Sequence, residues 1–415
     1  MGGLFYGGRN VVELTAQKKV VLGAQHTVAM FGATILVPLL TGLDPAVALL
    51  SAGLGTLIFH LLTKRMVPVF LGSSFAFIPP IIAARDGGYS WAAVGAGIVG
   101  AGVIYALMSL TVTFVGSARV RRLFPPIVTG PVIAVIGITL APTAVGMASG
   151  QWWLAIATLG GTIVAAVWFR GLFKMLPILT GLVFGYVVAI FAGAVDFTPF
   201  KEAAWIGLPN FTWAWQDVQW GAIALIAPVA FVTMIEHVGD ILTNGGVVGK
   251  DFFKQPGLHR TLIGDGVATL LAGFIGGPAN TTYSENTGVL AVTGVYDPAI
   301  LRIGAGFAIV LGFIPKLAAI LQTVPVAVLG GLSIILFGMI ASIGMRTLAD
   351  AQVDFTHSRN LIVVALILVL GLGVTGLEHG IVWFGVQVSG LALAALVGVV
   401  ANLVLPKEMD VPERV

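Results

Sequence analysis

Hydrophobic positions along this chain are grouped into blocks of roughly 20 residues, without the short apolar and polar periods of a soluble helix or strand. The blocks fall at 19–40, 45–63, 69–84, 91–116, 127–146, 152–169 and 175–195, and again at 219–243, 261–276, 280–295, 298–322, 326–344, 360–376 and 385–405. Each approaches the length a helix needs to cross a hydrocarbon layer about 30 Å thick. The pattern predicts an all-α polytopic membrane protein of fourteen transmembrane segments. The first block is roughly 20 residues long with no small-residue cleavage site behind a short core, so it reads as a span and not as a cleaved leader.

The two sets of seven blocks are self-similar. Gly72-Ser73-Ser74-Phe75-Ala76 in the third block matches Asn280-Thr281-Thr282-Tyr283-Ser284 in the tenth, with two hydroxyl residues, an aromatic and a small residue, at an offset of 208 residues. Pro125 to Gly130 matches Pro325 to Gly330 at an offset of 200. Seven is odd, so the second half must enter the bilayer with the opposite orientation, which predicts a 7+7 inverted repeat of the kind many secondary transporters use. The matched segments are short, rich in Ser, Thr and Gly, and Pro79-Pro80 soon follows the first of them. They read as interrupted spans, each a short strand followed by a half-helix whose N-terminal N–H groups and positive dipole end point toward mid-membrane. Two such ends meeting would form a polar site for a small ligand bearing carbonyl oxygens.

Composition agrees: 58% of the residues are hydrophobic and 9% charged, where soluble domains carry roughly 25% charged residues. Gly (55) and Pro (20) reach numbers that bundled transmembrane helices tolerate, and the absence of Cys excludes disulfides and thiolate metal sites. The net charge of +3 is topological. With the N-terminus in the cytoplasm, Arg9, Lys18, Lys19, Lys64, Arg65, Arg119, Arg121, Arg122, Arg170, Lys174, Lys250, Lys254, Arg260, Arg302, Arg346, Arg359, Lys407 and Arg414 all fall on that side, 18 of 21 basic residues. Both termini are then cytoplasmic. Trp91, Trp152, Trp153, Trp205, Trp213, Trp215 and Trp220 fall near outer span ends, as interfacial anchors do.

Few ionisable groups remain inside the blocks: Glu236, Asp240, Asp265, Glu285 and Lys316, with His26, His60 and His237. An acid at a span centre costs about 2.5 to 3.5 kcal/mol on insertion scales, so these acids are functional candidates. Glu236 and Asp240 lie four apart on one helix face. Two carboxylates there repel in a low dielectric, and one of them is expected to hold a proton at rest. Glu285 opens the second half-helix, as a ligand contact or an N-terminal cap. Asp265 reads either as a group orienting the eighth span or as a titrating group; His237, about 100° around the helix from Glu236, reads as a helix contact. Lys316 is expected to snorkel or to pair with a carboxyl group. No His/Glu pair has zincin spacing, so no metal site is expected.

At these residues the chain resembles the nucleobase-ascorbate transporter family, also called the nucleobase cation symporters of the second kind, and above all its bacterial uracil permeases. Glu285-Asn286-Thr287-Gly288-Val289-Leu290-Ala291-Val292-Thr293-Gly294 fits the tenth-span signature of an acid or amide, Asn, any residue, Gly, four residues, Thr, then a basic residue or Gly. Gln25-His26 fits the first-span Gln-His motif, and Phe31-Gly32-Ala33-Thr34 with Gly72-Ser73-Ser74-Phe75-Ala76-Phe77 is similar to the uracil branch. Departures exist: uracil permeases tend to have His at the position of Asp240, while Asp240, Asp265 and Gly294 are more like xanthine and uric acid carriers, which in turn usually have Gln at the position of Glu285.

The resemblance implies a core domain of residues 1–118 and 219–322 that binds substrate, and a gate domain of residues 119–218 and 323–415. It implies proton-coupled nucleobase uptake across the inner membrane by alternating access, most of all uracil with a proton, with a xanthine or uric acid symporter as the alternative. Glu236 and Glu285 would accept the two ring N–H groups, and backbone N–H groups at Phe75 and near Glu285 would face the carbonyls. Phe75 and Tyr283 would flank the ring, and Ser74 and Ser284 would line the site. Asp240, Asp265 and His26 join Glu236 as candidate proton-coupling groups. The resemblance implies no cofactor beyond the proton and a homodimer through the gate domain. An anion exchanger or channel of the same plan would need a basic residue beside the half-helix ends, and spans three, eight and ten offer none. A membrane enzyme would need a nucleophile or metal constellation that the sequence lacks.

Overall fold

A computed structural model describes residues 15–406 apart from 172, 174–175, 376, 378–380 and 384–385. Arg9, Lys174, Lys407 and Arg414, counted above for orientation, lie outside the described residues, as do both ends of the expected domain division. Polar residues at the block edges act as helix caps. Asp44 Oδ1 accepts from the Ala46 N–H at 2.7 Å ahead of α2 (Pro45–Leu62), which follows α1 (Ala16–Thr41). Ser90 Oγ accepts from the Ala93 N–H at 3.1 Å ahead of α4 (Trp91–Val115). In both, a short side-chain oxygen meets an N–H that has no partner within its own helix.

The third block is interrupted: β1 (Leu71–Ser73) gives way to a 3₁₀ turn at Phe75–Phe77 and then α3 (Ile78–Asp86). The fifth, sixth and seventh blocks become α5 (Pro126–Thr139) with α6 (Ala141–Ser149), α7 (Trp152–Val167) and α8 (Pro177–Phe191). The eighth is α9 (Trp220–Ile226), a 3₁₀ turn over Ala227–Val229 that contains Pro228, and α10 (Ala230–Val248). After α11 (Leu258–Phe274) the tenth block repeats the interruption, with β2 (Asn280–Thr282) leading into α12 (Ser284–Thr293).

The eleventh block differs from its expected single span. Pro315 begins a new helix, so α13 (Pro298–Gly312) and α14 (Pro315–Gln322) meet at a 78° bend. Next come α15 (Val326–Asp350) and α16 (Ser358–Thr375). A hairpin of β3 (Ile381–Trp383) and β4 (Val386–Val388), which the hydropathy pattern did not anticipate, precedes α17 (Gly390–Val404). Among the described residues, seven helical stretches are long and apolar enough to span a bilayer, and the bent α13–α14 pair makes an eighth. α7, α8 and α17 are apolar but shorter than that length.

The protein is inverted relative to a soluble one. Phe114, Phe191, Val369 and Val404 stand exposed on its outside, while Ser51, Thr56, His60, Asn244 and Asp265 are buried. Trp152, Trp153, Trp205, Trp215 and Trp220 are exposed. The helices pack in two groups, α1, α2, α4, α11 and α13 in one, and α5, α6, α7, α8, α15, α16 and α17 in the other, with α10 touching both.

Glycines set the closest crossing of the first group. A Cβ on Gly102 would lie 2.7 Å from the Gly266 carbonyl oxygen, and one on Gly95 would lie 2.7 Å from the Gly273 carbonyl oxygen, so α4 and α11 meet at two glycine pairs one heptad apart. Such small-residue contacts let transmembrane helices gain dispersion energy that lipid cannot match. Gly102→Leu should therefore force α4 from α11 and lower stability by about 1–3 kcal/mol or more. The thermal unfolding midpoint of the purified protein, compared with that of Gly146→Ala at an open position, measures this.

Candidate functional site

The two interruptions meet. β1 and β2 pair antiparallel with Leu71 opposite Thr282, Gly72 opposite Thr281 and Ser73 opposite Asn280. The Ser74 N–H donates to the Ala279 carbonyl at 2.8 Å, and the Tyr283 N–H to the Phe70 carbonyl at 3.0 Å. Groups the short ladder leaves unpaired are met from neighbouring helices. Thr56 Oγ1 accepts from the Leu71 N–H at 2.9 Å, Thr269 Oγ1 donates to the Asn280 carbonyl at 2.9 Å, and Asn280 Nδ2 donates to the Ser51 carbonyl at 3.1 Å. Gly72 is required here because a Cβ would fall 2.4 Å from the Tyr283 ring.

Each strand releases the chain into a helical turn without a side-chain cap. Neither Ser74, ahead of Phe75–Phe77, nor Tyr283, ahead of α12, caps its helix through its side chain. The first N–H groups of both turns lack that side-chain partner, as in an anion or carbonyl site at a helix start. The Ser74 hydroxyl is fully buried and has no hydrogen-bond partner among the described residues. Glu285 lies in the first turn of α12, half-buried, next to the exposed Ser284.

α10 supplies the third side. Asp240 accepts from Thr282 Oγ1 at 3.0 Å through one oxygen and from Ser284 Oγ at 3.2 Å through the other. One turn on, Asn244 Nδ2 donates to the Pro68 carbonyl at 3.0 Å and to Thr287 Oγ1 at 3.1 Å. Glu236, Asp240 and Asn244 thus form a stripe at four-residue spacing, two of them bonded to the β2–α12 segment. The half-buried Glu236 carboxylate receives no hydrogen bond among the described residues. Sequence reasoning did not single out Asn244 or Thr282; the four-residue spacing from Glu236 was the available signal for Asn244.

The other candidates occupy supporting places. Asn286 Nδ2 donates to the His26 carbonyl at 2.9 Å and lies 3.1 Å from its Nδ1, so His26 ties α12 to α1. Tyr283 donates its hydroxyl to the Ser73 carbonyl at 2.9 Å, which seats its ring against Gly72. Asp265 is fully buried on α11 with Oδ2 3.1 Å from His237 Nδ1. Phe75 packs edge-to-face on Phe337 of α15, ring centroids 6.1 Å apart, and Phe337 lines an apolar cavity of about 160 Å³ with Gly137, Ala144 and Ala341. Phe337 carried no signal in the sequence. Lys316 neither snorkels freely nor meets a carboxylate: Nζ donates to the Phe200 carbonyl at 2.8 Å and lies 4.5 Å from the centre of its ring. None of the ion pairs among the described residues reaches Glu236, Asp240 or Glu285.

Such an arrangement suits a small planar ligand with both donors and acceptors, held by carboxylates, helix-start N–H groups and an aromatic face. The sequence profile of the Permease family (Xan_ur_permease) matches residues 17–379. The chain is 46% identical over 416 residues to the uracil permease of Bacillus caldolyticus, covering 96% of this chain and 95% of that one. It is 40% identical over 396 residues to the uracil permease of Escherichia coli K12, covering 93% and 90%. Among solved structures, it is similar in fold to the transmembrane domain of the cyanobacterial bicarbonate transporter BicA, with a TM-score of 0.61 at 17% identity, over 93% of this chain and 96% of that one. A profile match across most of the chain, with relatives of this identity over nearly full length, identifies an integral membrane protein that belongs to this permease family, the nucleobase-ascorbate transporters whose motifs it carries.

Proposed function

We propose that the protein carries uracil into the cell together with a proton, by alternating access. The observation that carries this reading is the convergence of two uncapped helix starts at one strand pair, with Glu285 in the first turn of α12 and the helix of Glu236 bonded to the pair through Asp240. Uracil is a planar ring with two N–H donors and two carbonyl acceptors. Glu236 and Glu285 accept the N–H groups, the N–H groups at Phe75 and at the start of α12 donate to the carbonyls, and Phe75, Ser74, Ser284 and Tyr283 shape the pocket. The uracil permeases at 40–46% identity support this substrate.

The proton loads on the Glu236/Asp240 pair, with Asp265 and His26 as the alternative proton sites. Neutral uracil gives the membrane potential no charge to act on, so the proton contributes about 2.3 kcal/mol per 100 mV. No cofactor is needed and no bond is made or broken. In this reading fourteen segments form a 7+7 inverted repeat with both termini cytoplasmic. Residues 1–118 and 219–322 form the core domain and residues 119–218 and 323–415 the gate, through which two copies pair in the inner membrane. The two packing groups of helices support the division.

Proteoliposomes under an inward proton gradient test the substrate. Labelled uracil should accumulate and be displaced by unlabelled uracil more strongly than by xanthine, uric acid or hypoxanthine; xanthine outcompeting uracil would assign the protein to the purine branch. Saturable uptake without conductance separates a carrier from a channel.

Two substitutions test the roles. Glu236→Gln replaces an acceptor carboxylate by an amide and should reduce uracil uptake efficiency by about 10- to 100-fold, the loss expected for a charged hydrogen bond. Wild-type uptake with unchanged pH dependence would remove Glu236 from the site. Wild-type uptake should fall as external pH rises, because proton loading is lost. Asp240→Asn should flatten that profile more than it changes the apparent KM, and an unaltered profile would move proton loading to Asp265 or His26.

A further inference from the structure

On the flank of the site-facing stripe of α10 lies a second polar cluster that the proposed cycle does not use. His237 and Asp265 are both fully buried, and His237 Nδ1 lies 3.1 Å from Asp265 Oδ2 in a side-chain contact that is not an in-line hydrogen bond. The imidazole is boxed by two aromatic edges, Phe59 of α2 and Tyr105 of α4, each with its ring centroid 6.5 Å away and nearly perpendicular. Gly266 permits this: a Cβ there would fall 2.5 Å from Tyr105 Cβ, so the glycine beside Asp265 is what brings α4 close. The other titratable groups around the cluster are Tyr105 itself, Glu236 and Asp240 on α10, and His60 beyond Phe59 on α2.

We propose that Asp265 is a positioning residue that fixes the roll of α10 through His237, and so aims Glu236 at the substrate. The inference rests on the reading of Glu236 as a ligand-facing group. Three observations carry it. The 3₁₀ turn with Pro228 immediately precedes α10, so the helix does not inherit its rotation from α9. Farther along, α10 is pinned to the strand pair and α12 by Asp240 and Asn244, but Glu236 itself has no hydrogen-bond or ion-pair partner among the described residues. At the level of Glu236, α10 meets α11 through the neighbouring residue His237. A carboxylate about 6 Å from the helix axis moves about 1 Å for each 10° of roll. Misplacement on that scale costs up to about 100-fold where geometry governs. A buried polar pair of this kind is weak evidence for stability, and its best-attested use is to specify one arrangement among several.

Kinetics in proteoliposomes test the assignment, with rates normalised to folded protein recovered as a monodisperse peak from size-exclusion chromatography. Asp265→Ala should raise the KM for uracil about tenfold or more while the maximal rate stays within about threefold of wild type. The double variant Asp265→Asn/His237→Gln keeps a side-chain contact without an ionisable group, and should return KM to within about threefold of wild type with its pH dependence intact. If Asp265→Ala does not fold, His237→Gln alone against the double variant gives the same comparison. A wild-type KM in the single variants overturns the proposal. So does a double variant with normal KM that no longer responds to the proton gradient, because the pair would then carry the proton. Wild-type uptake is measured in parallel with the base it carries best, so a wrong substrate assignment is seen there and KM is read for that base instead.

Discussion

Backbone hydrogen bonding in hydrocarbon is the constraint on which this structure depends. A lipid-facing N–H or C=O without a partner costs several kcal/mol, so a chain can abandon helix inside a membrane only where protein replaces the lost bonds. Here two such departures, at Leu71–Ser73 and Asn280–Thr282, solve the problem by pairing with each other. Hydroxyl side chains at Thr56 and Thr269 meet groups the pair leaves over, and the Asn280 amide ties β2 to the Ser51 carbonyl of α2. Both half-helices start where the strands end, so the uncapped N–H groups converge because the strands do. The site is a by-product of satisfying the backbone.

α10 completes the site under the same rule. Its stripe of Glu236, Asp240 and Asn244 faces the strand pair, and the flank of that stripe, about 100° round from Glu236, sends His237 into the α4–α11 packing, so the helix is polar over a broad face and belongs inside a bundle. That burial is affordable because the glycine pairs Gly95/Gly273 and Gly102/Gly266 draw the surrounding helices close enough to exclude lipid. Scarcity of charge in the sequence and density of polar contacts in the centre are one fact seen at two scales.

Hydropathy and internal similarity made the membrane class, the two interruptions and the acids at 236, 240 and 285 legible, because each depends on local residue type. What stayed hidden depends on partners. Asp265 carries no mark in the sequence that it meets His237, and Lys316 none that its partner is the Phe200 carbonyl and not a carboxylate. The bend between α13 and α14 was within reach, since Pro315 stands mid-block, yet a proline in a transmembrane segment is compatible with a straight span when neighbours re-satisfy the backbone. The β3–β4 hairpin lies where apolar content alone cannot separate strand from helix. Phe337 is one aromatic among 24 phenylalanines, and only the packing of α15 against the Phe75 turn distinguishes it.

The kinds of contact around the site also bear on how it would move. Within the group containing α1, α2, α4, α11 and α13, the strand pair is held by directional hydrogen bonds, and sliding α2 or α11 would orphan buried donors at Asn280 or Thr269. Across to the other group, besides the packing of α10, the site makes the edge-to-face contact of Phe75 and Phe337, beside an apolar cavity. Such a contact tolerates displacement, because separating two rings leaves no polar group unsatisfied. Under the proposed carrier cycle, the cheapest motion therefore keeps the strand pair, its half-helices and their hydrogen-bonded supports as one rigid body and shifts that body along the aromatic boundary. The substrate travels with the groups that bind it, and binding need not be broken for the site to change sides.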